Sequence, residues 1–141
     1  MRYFVNIDLK YIINLCIIVK RNYSMFSKEL LKGTLKPIIL KLLSENDKMY
    51  GYEIVQAVKQ LTDEKIVIKE GSLYPLLHSL AKEGTLNTES VMMGKRVRKY
   101  YSLTETGKEA TAHSLSELSD FLKTIEKLIS TKPNPSHAIK L

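Results

Sequence analysis

The stretch from Glu70 to Thr104 leaves few folds open, because a helical stripe runs there directly into a basic hairpin. Leu73, Leu76, Leu77, Leu80 and Ala81 recur at the i, i+3, i+4, i+7, i+8 spacing of a buried helix face. Gly84 stands where a left-handed residue would close that helix. Beyond it, Leu86 to Met92 and Arg98 to Leu103 read as two strands meeting at a turn. Four of the five residues from 95 to 99 are basic: Lys95, Arg96, Arg98 and Lys99. A positive hairpin tip beside a helix with one polar face suits a polyanion, since each phosphate it neutralises releases counterions.

The charge is placed rather than spread. The chain of 141 residues carries a formal +7, yet residues 25–130 hold 16 Lys and Arg against 14 Asp and Glu. With the hairpin tip set aside, that region is slightly acidic, as a dedicated nucleic-acid face requires. The length predicts one domain, large enough to bury a core without staples. The lone Cys16 excludes an intramolecular disulfide and fits a reducing, cytoplasmic setting. His78, His113 and His137 lack metal-ligand spacing, so neither metal nor cofactor is expected. There is no Ser/His/Asp or Cys/His arrangement and no glycine-rich phosphate loop, which leaves an enzyme reading with little support.

Residues 1–24 stand apart. Their apolar run, Tyr11 to Val19, is far shorter than the roughly 20 residues a spanning helix needs. Lys20 and Arg21 follow it where a signal peptide would have small residues. Two readings stay open: an extension outside the domain, with the natural start at Met25, or a β-rich arm packed on the domain or on its dimer partner. Neither reading makes the protein exported.

Thr34 is expected to cap a first helix, with Pro37 in its first turn and Leu35, Ile38, Ile39, Leu42 and Leu43 on its buried side. Leu30 and Leu31, before Gly33, read as a separate short turn of helix. A second helix opens at Tyr50-Gly51, places Ile54, Val55, Val58 and Leu61 on one stripe and ends at Thr62-Asp63-Glu64. Ile66-Val67-Ile68 is expected to add an edge to the hairpin. Thr104 caps a last helix running to about Ser130, where Leu115, Leu118, Leu122, Ile125 and Ile129 are spaced 3, 4, 3, 4. That seam is too short for a free coiled coil. It needs a partner surface, either the first helix or a second subunit. Residues 131–141 read as a loose tail.

The expected fold is therefore mainly α with a small β-hairpin: a winged helix-turn-helix over 25–103, then a dimerisation helix over 104–130. In such an arrangement the polar side of the third helix enters the major groove. Ser72, Tyr74, His78 and Lys82 lie on that side; Ser72 could equally cap the helix, and His78 could read a base edge, bind a ligand or sit exposed. Lys48 and Tyr50, opening the second helix, are candidate backbone clamps. Lys95, Arg96 and Arg98 are expected on phosphates or in the minor groove, with Lys99 on either face of the hairpin. Tyr101 and Leu103, one strand period apart, are assigned to the core. A winged-helix module for protein association, its basic loop meeting an acidic partner, is the other reading of the same residues.

From Met25 to about Leu128 the chain resembles the PadR family of bacterial transcription repressors. The matching stretches are Leu30 to Leu35, Tyr50-Gly51-Tyr52-Glu53-Ile54, Gly71 to Leu77, Leu80 to Gly84, and Arg96 to Thr104. The single C-terminal helix is similar to the family's smaller branch. The resemblance implies a homodimer on a near-palindromic double-stranded DNA operator, released by a small molecule. A pocket for a flat aromatic or apolar effector is expected between the paired last helices and the first helices, against Leu35, Ile39, Leu118, Phe121 and Leu122, because a ligand wedged there would change the angle between the subunits. Some small-branch members hold a flat drug between aromatic side chains of those helices. Leu118 stands where such a residue would, and the chain has no Trp.

Overall fold

The computed structural model describes residues 24–131. The expected extension and tail lie, except for Ser24 and Thr131, outside the described residues, as do Cys16 and His137. The elements are α1 (Lys28–Glu45), β1 (Met49–Tyr50), α2 (Gly51–Leu61), α3 (Glu70–Lys82), β2 (Leu86–Met93), β3 (Arg96–Leu103) and α4 (Glu105–Ser130).

The first helix begins earlier than its local signals suggest. Ser27, not Thr34, is its N-cap, accepting from the Leu30 N–H, and the helix runs unbroken through Gly33 and Pro37. Thr34 sits inside it and donates its hydroxyl to the Leu31 carbonyl at 3.1 Å. Pro37 lacks the N–H that would reach the Gly33 carbonyl. What carries the helix across that gap is burial, since Pro37, Ile39, Leu40, Leu42 and Leu43 are all interior. Tertiary packing commonly overrides propensity in this way.

The core joins these side chains to Ile54 and Val58 of α2, Leu73, Leu77 and Leu80 of α3, and Met49, Ile68, Leu86 and Tyr101. Leu61, expected on the buried stripe of α2, is instead exposed. Beyond it the chain turns through Asp63 and Glu64, both at positive φ. Tyr101 is assigned to the core and lies there, and burial pushes its phenol above the ordinary range with nearby Tyr74 adding to the shift.

The sheet has three antiparallel strands in the order β1-β3-β2. Ile66-Val67-Ile68 is not one of them. The edge it was expected to fill belongs to β1, which pairs Met49 with Tyr101 and Tyr50 with Tyr100. Ile68 spends its side chain in the core instead.

The joint between α3 and α4 follows from three neighbouring residues. Gly84, at φ 78°, lets its own N–H reach the Ala81 carbonyl and the Thr85 N–H reach the Leu80 carbonyl, ending α3 as expected. Thr104 caps α4 by accepting from the Gly107 N–H at 2.9 Å, and its hydroxyl donates to the Gly84 carbonyl at 2.7 Å. Gly107 has no alternative here, because a Cβ would overlap the Thr85 carbonyl. The result is a winged helix with a long final helix attached at the C-cap of α3.

Candidate nucleic-acid interface

On α3, Tyr74, His78 and Lys82 are spaced by four residues and so align along one side, all exposed. Ser72 is exposed beside them. It is not the cap, since the helix opens at Lys69, whose carbonyl accepts from the N–H groups of Ser72 and Leu73. Tyr74 turns its ring toward α2: a Cβ at Gly51 would come within 2.6–2.9 Å of its Oη, Cζ and Cε1. Glycine at 51 is thus what lets the start of α3 approach the start of α2. Further along, Ser79 donates to Glu83 Oε1 at 2.8 Å, an i, i+4 pair on the outer surface.

The hairpin closes through Gly94 and Lys95, with Gly94 at φ 63° and Lys95 outside the positive-φ region. A two-residue turn with positive φ at its first position calls for glycine there. Lys95 therefore stands at the tip, while Arg96 and Arg98 lie within β3 rather than in a loop. Alternation puts Arg96, Arg98 and Tyr100 on one face, together with cross-strand partners Met93, Val91 and Glu89. Lys99 lies on the other face, 5.9 Å above the Tyr101 ring. α3 packs against β2, so the helix that carries the polar row is joined directly to the basic ribbon.

Lys48 and Tyr50 fall on the outer face of this sheet. The Lys48 ammonium donates to Glu89 Oε2 at 2.7 Å and lies 5.3 Å from the Tyr100 ring centre. The hydrogen bond and charge of Glu89 raise the Lys48 pKa above its ordinary value. Tyr50 lies under the Arg98 guanidinium at 4.7 Å and meets the Tyr100 ring edge-on at 5.5 Å. Glu89, Tyr52 and Tyr100 were not expected at this site. Register alone reveals the first and last, because strand pairing decides which residues share a face. The repeat Tyr50-Gly51-Tyr52 is the one local signal for Tyr52.

The candidate dimer and effector residues divide. Leu115 and Leu118 are half-buried on the part of α4 nearer the body. Past them the stripe is bare, with Leu122 at 55% and Ile129 at 76% exposure, and Phe121, Ile125 and Leu128 also open to solvent. Ile39 is fully buried in the core and faces no open surface. Leu35 instead lines a groove of about 700 Å³ with Leu31, Ile38, Ile66, Ile68 and Leu76, between α1, the 66–69 segment and α3. Lys28 and Lys32 stand among its polar lining residues. Among the described residues no helix is long and apolar enough to cross a membrane, and no cluster of side chains could hold a metal ion.

The sequence model of the PadR-like transcriptional regulator family matches residues 39–113. An uncharacterized protein of Lysinibacillus sphaericus is 33% identical over 104 residues, which is 72% of this chain and 94% of that one. A transcriptional regulator from Clostridium thermocellum superposes with a TM-score of 0.68 at 32% identity, over 74% of this chain and 99% of its own. Bacillus subtilis PadR, solved in complex with operator DNA, gives a TM-score of 0.51 at 27% identity, over 76% of this chain and 52% of its own. The matched region takes in the core, the polar row of α3, the basic ribbon and the joint to α4, and on that ground the chain belongs to the PadR-like family of transcriptional regulators.

Proposed function

We propose that the protein is a homodimeric DNA-binding repressor whose α3 enters the major groove while the β2–β3 wing holds the adjacent phosphates. The observation that carries the reading is the placement of Lys95, Arg96, Arg98 and Lys99 on a ribbon whose β2 strand packs against α3, the helix that bears the exposed row Tyr74, His78 and Lys82. Phosphate contacts from the ribbon would supply affinity, and base contacts from α3 would supply selectivity. The structure of the Bacillus subtilis relative on operator DNA supports the same choice of partner.

The dimer part of the reading rests on the outer half of α4. A bare apolar stripe of that length is costly to leave in water, and a two-fold copy covers it on both chains at once. The groove along α1 offers apolar lining of matching character, and Lys28 and Lys32 beside it suit Glu117, Asp120 and Glu126 of a partner helix. An apolar effector would relieve repression by binding one spacing of the paired α3 helices better than another. With Ile39 buried, its lining would come from Leu35 and from Leu118, Phe121 and Leu122.

The decisive experiment is a salt titration of binding to a duplex from the protein's own promoter region and to a mixed-sequence duplex. The triple variant K95A/R96A/R98A is expected to weaken both and to flatten the salt slope by up to about three phosphate equivalents. Ser72→Ala or His78→Ala should change the preference between the two duplexes more than the slope. Unchanged binding by the triple variant would remove the wing from the interface.

A further inference from the structure

β1 ends at Tyr50, and past that rung no third strand among the described residues accompanies the β2–β3 ribbon. A lone pair of strands is marginally stable and twists readily. The angle at which the wing leaves the body is therefore decided where β1 stops, and Tyr50 occupies that point. Its ring carries the Arg98 guanidinium at 4.7 Å, one step further along the wing, and the Tyr100 ring edge-on at 5.5 Å. Tyr52 stacks beside it, with centroids 6.3 Å apart and planes 20° from parallel.

The same residue is fastened to the helices. Its N–H donates to Glu53 Oε2 at 2.9 Å, which pins it to the first turn of α2. The next residue, Gly51, receives the Tyr74 ring of α3 against its α-carbon. Two residues before it, on the approach to β1, Lys48 reaches across Tyr100 to Glu89 and ties that approach to β2. Wing and α2 thus meet at Tyr50, and α3 joins them at its neighbour Gly51.

We infer that Tyr50 is a positioning residue whose aromatic ring, rather than its hydroxyl, sets the exit angle of the wing and so the distance between Arg98 and α3. This rests on the proposed role of α3 and the wing in DNA binding. An arginine stacked on a ring keeps its in-plane N–H groups directed outward, so the contact orients Arg98 without consuming its donors. Lys48 differs, because its ammonium is already committed to Glu89.

Two measurements on the full chain test this. In hydrogen exchange without DNA, Tyr50→Leu should speed exchange of the amides at 95–99, and Tyr50→Phe, which keeps the ring, should restore protection. Arg98→Gln, an exposed change on the ribbon, should loosen the same amides and serves if Tyr50→Leu does not fold. In titrations of a mixed-sequence duplex, Tyr50→Leu should weaken binding about two- to fivefold, the size expected of one exposed cation–π contact. It should also lower the salt slope by about one. The double variant Y50L/R98A should bind no worse than R98A alone, because the two side chains act through one contact. Equal losses in Tyr50→Phe and Tyr50→Leu would make the hydroxyl the contact and overturn the inference. So would additive losses in the double variant, or unchanged wing exchange in Tyr50→Leu. A wild-type chain that bound no duplex would overturn the DNA reading, and the exchange data would still decide whether Tyr50 holds the wing.

Discussion

α1 and α4 are the two longest helices among the described residues, and they use their apolar residues in opposite ways. α1 buries five side chains in the core, including a proline that interrupts its own hydrogen bonding. α4 is longer, yet of its residues only Gly107 and Thr111 are fully buried, and its apolar stripe lies open from Phe121 onward. The same residue types at the same helical spacing thus serve two ends. One set holds the chain together, and the other is available to a second molecule. What separates them is the presence or absence of a facing layer, and periodicity carries no information about that.

The sharpest way to break this contrast is to truncate one residue of each kind. Leu40→Ala, at a site with no solvent exposure, is expected to cost about 2–5 kcal/mol of stability. Urea unfolding would measure it. Leu122→Asp should leave the far-UV spectrum intact while sedimentation shifts from dimer to monomer and operator binding is lost or much reduced. A mutant that still sediments as a dimer would mean the bare stripe is not the interface, and the contrast between the helices would have to be drawn differently.

The two N-caps sharpen the comparison at smaller scale. Ser27 caps α1 at an exposed position, through a bond of 3.3 Å. Thr104 caps α4 and also holds the Gly84 carbonyl. Ser27→Ala should therefore cost only about 0.5 kcal/mol, and Thr104→Ala about 2 kcal/mol, in the same unfolding assay. Equal costs would show that the joint adds nothing to the cap.

Much of this division was legible in the residues, and the exceptions share a cause. The α3 stripe, Gly84 as its terminator and Thr104 as a cap were readable because each depends on neighbours within one helical turn. The start of α1 is hidden for the same reason. Thr34 and Pro37 look locally like a beginning, and only the burial of Pro37, Ile39 and Leu40 against other elements makes the helix continuous. β1 is two residues long, and nothing in Met49-Tyr50 announces pairing with residues 100 and 101. Ile66-Val67-Ile68 has strong strand composition but finds that edge taken. At the site, the basic ribbon could be read directly, whereas the Glu89–Lys48 pair and the seat of Tyr74 on Gly51 exist only through register and packing.

The smallest expected effect is a pH dependence that probes the core shared by α1 and β3. The Tyr101 phenol has a folded pKa raised above 10 by burial, so its neutral form is the one the fold prefers. The folded state then holds this proton more tightly than the unfolded chain does. Stability from this group is complete below pH 10 and declines as pH rises toward the raised folded value. Tyr101→Phe should lose that alkaline decline, and thermal melts from neutral to strongly alkaline pH would show it. An identical decline in both proteins would assign it to other groups.

The knot of Gly84, Thr104 and Gly107 has a mechanical consequence. α4 extends for 26 residues from that pivot, a length of about 39 Å. A tilt of about 5° at Thr104 would therefore sweep its far end by roughly 3 Å, more than half the rise of one helical turn. The pivot is hydrogen-bonded to the carbonyls of Gly84 and Thr85, the residues that directly follow the C-cap of α3, so the base of α4 and the end of α3 share one point of attachment. The nearer half of α4 also packs against α1, so the sweep belongs to the bare outer half, where the smallest change of angle is read as the largest displacement.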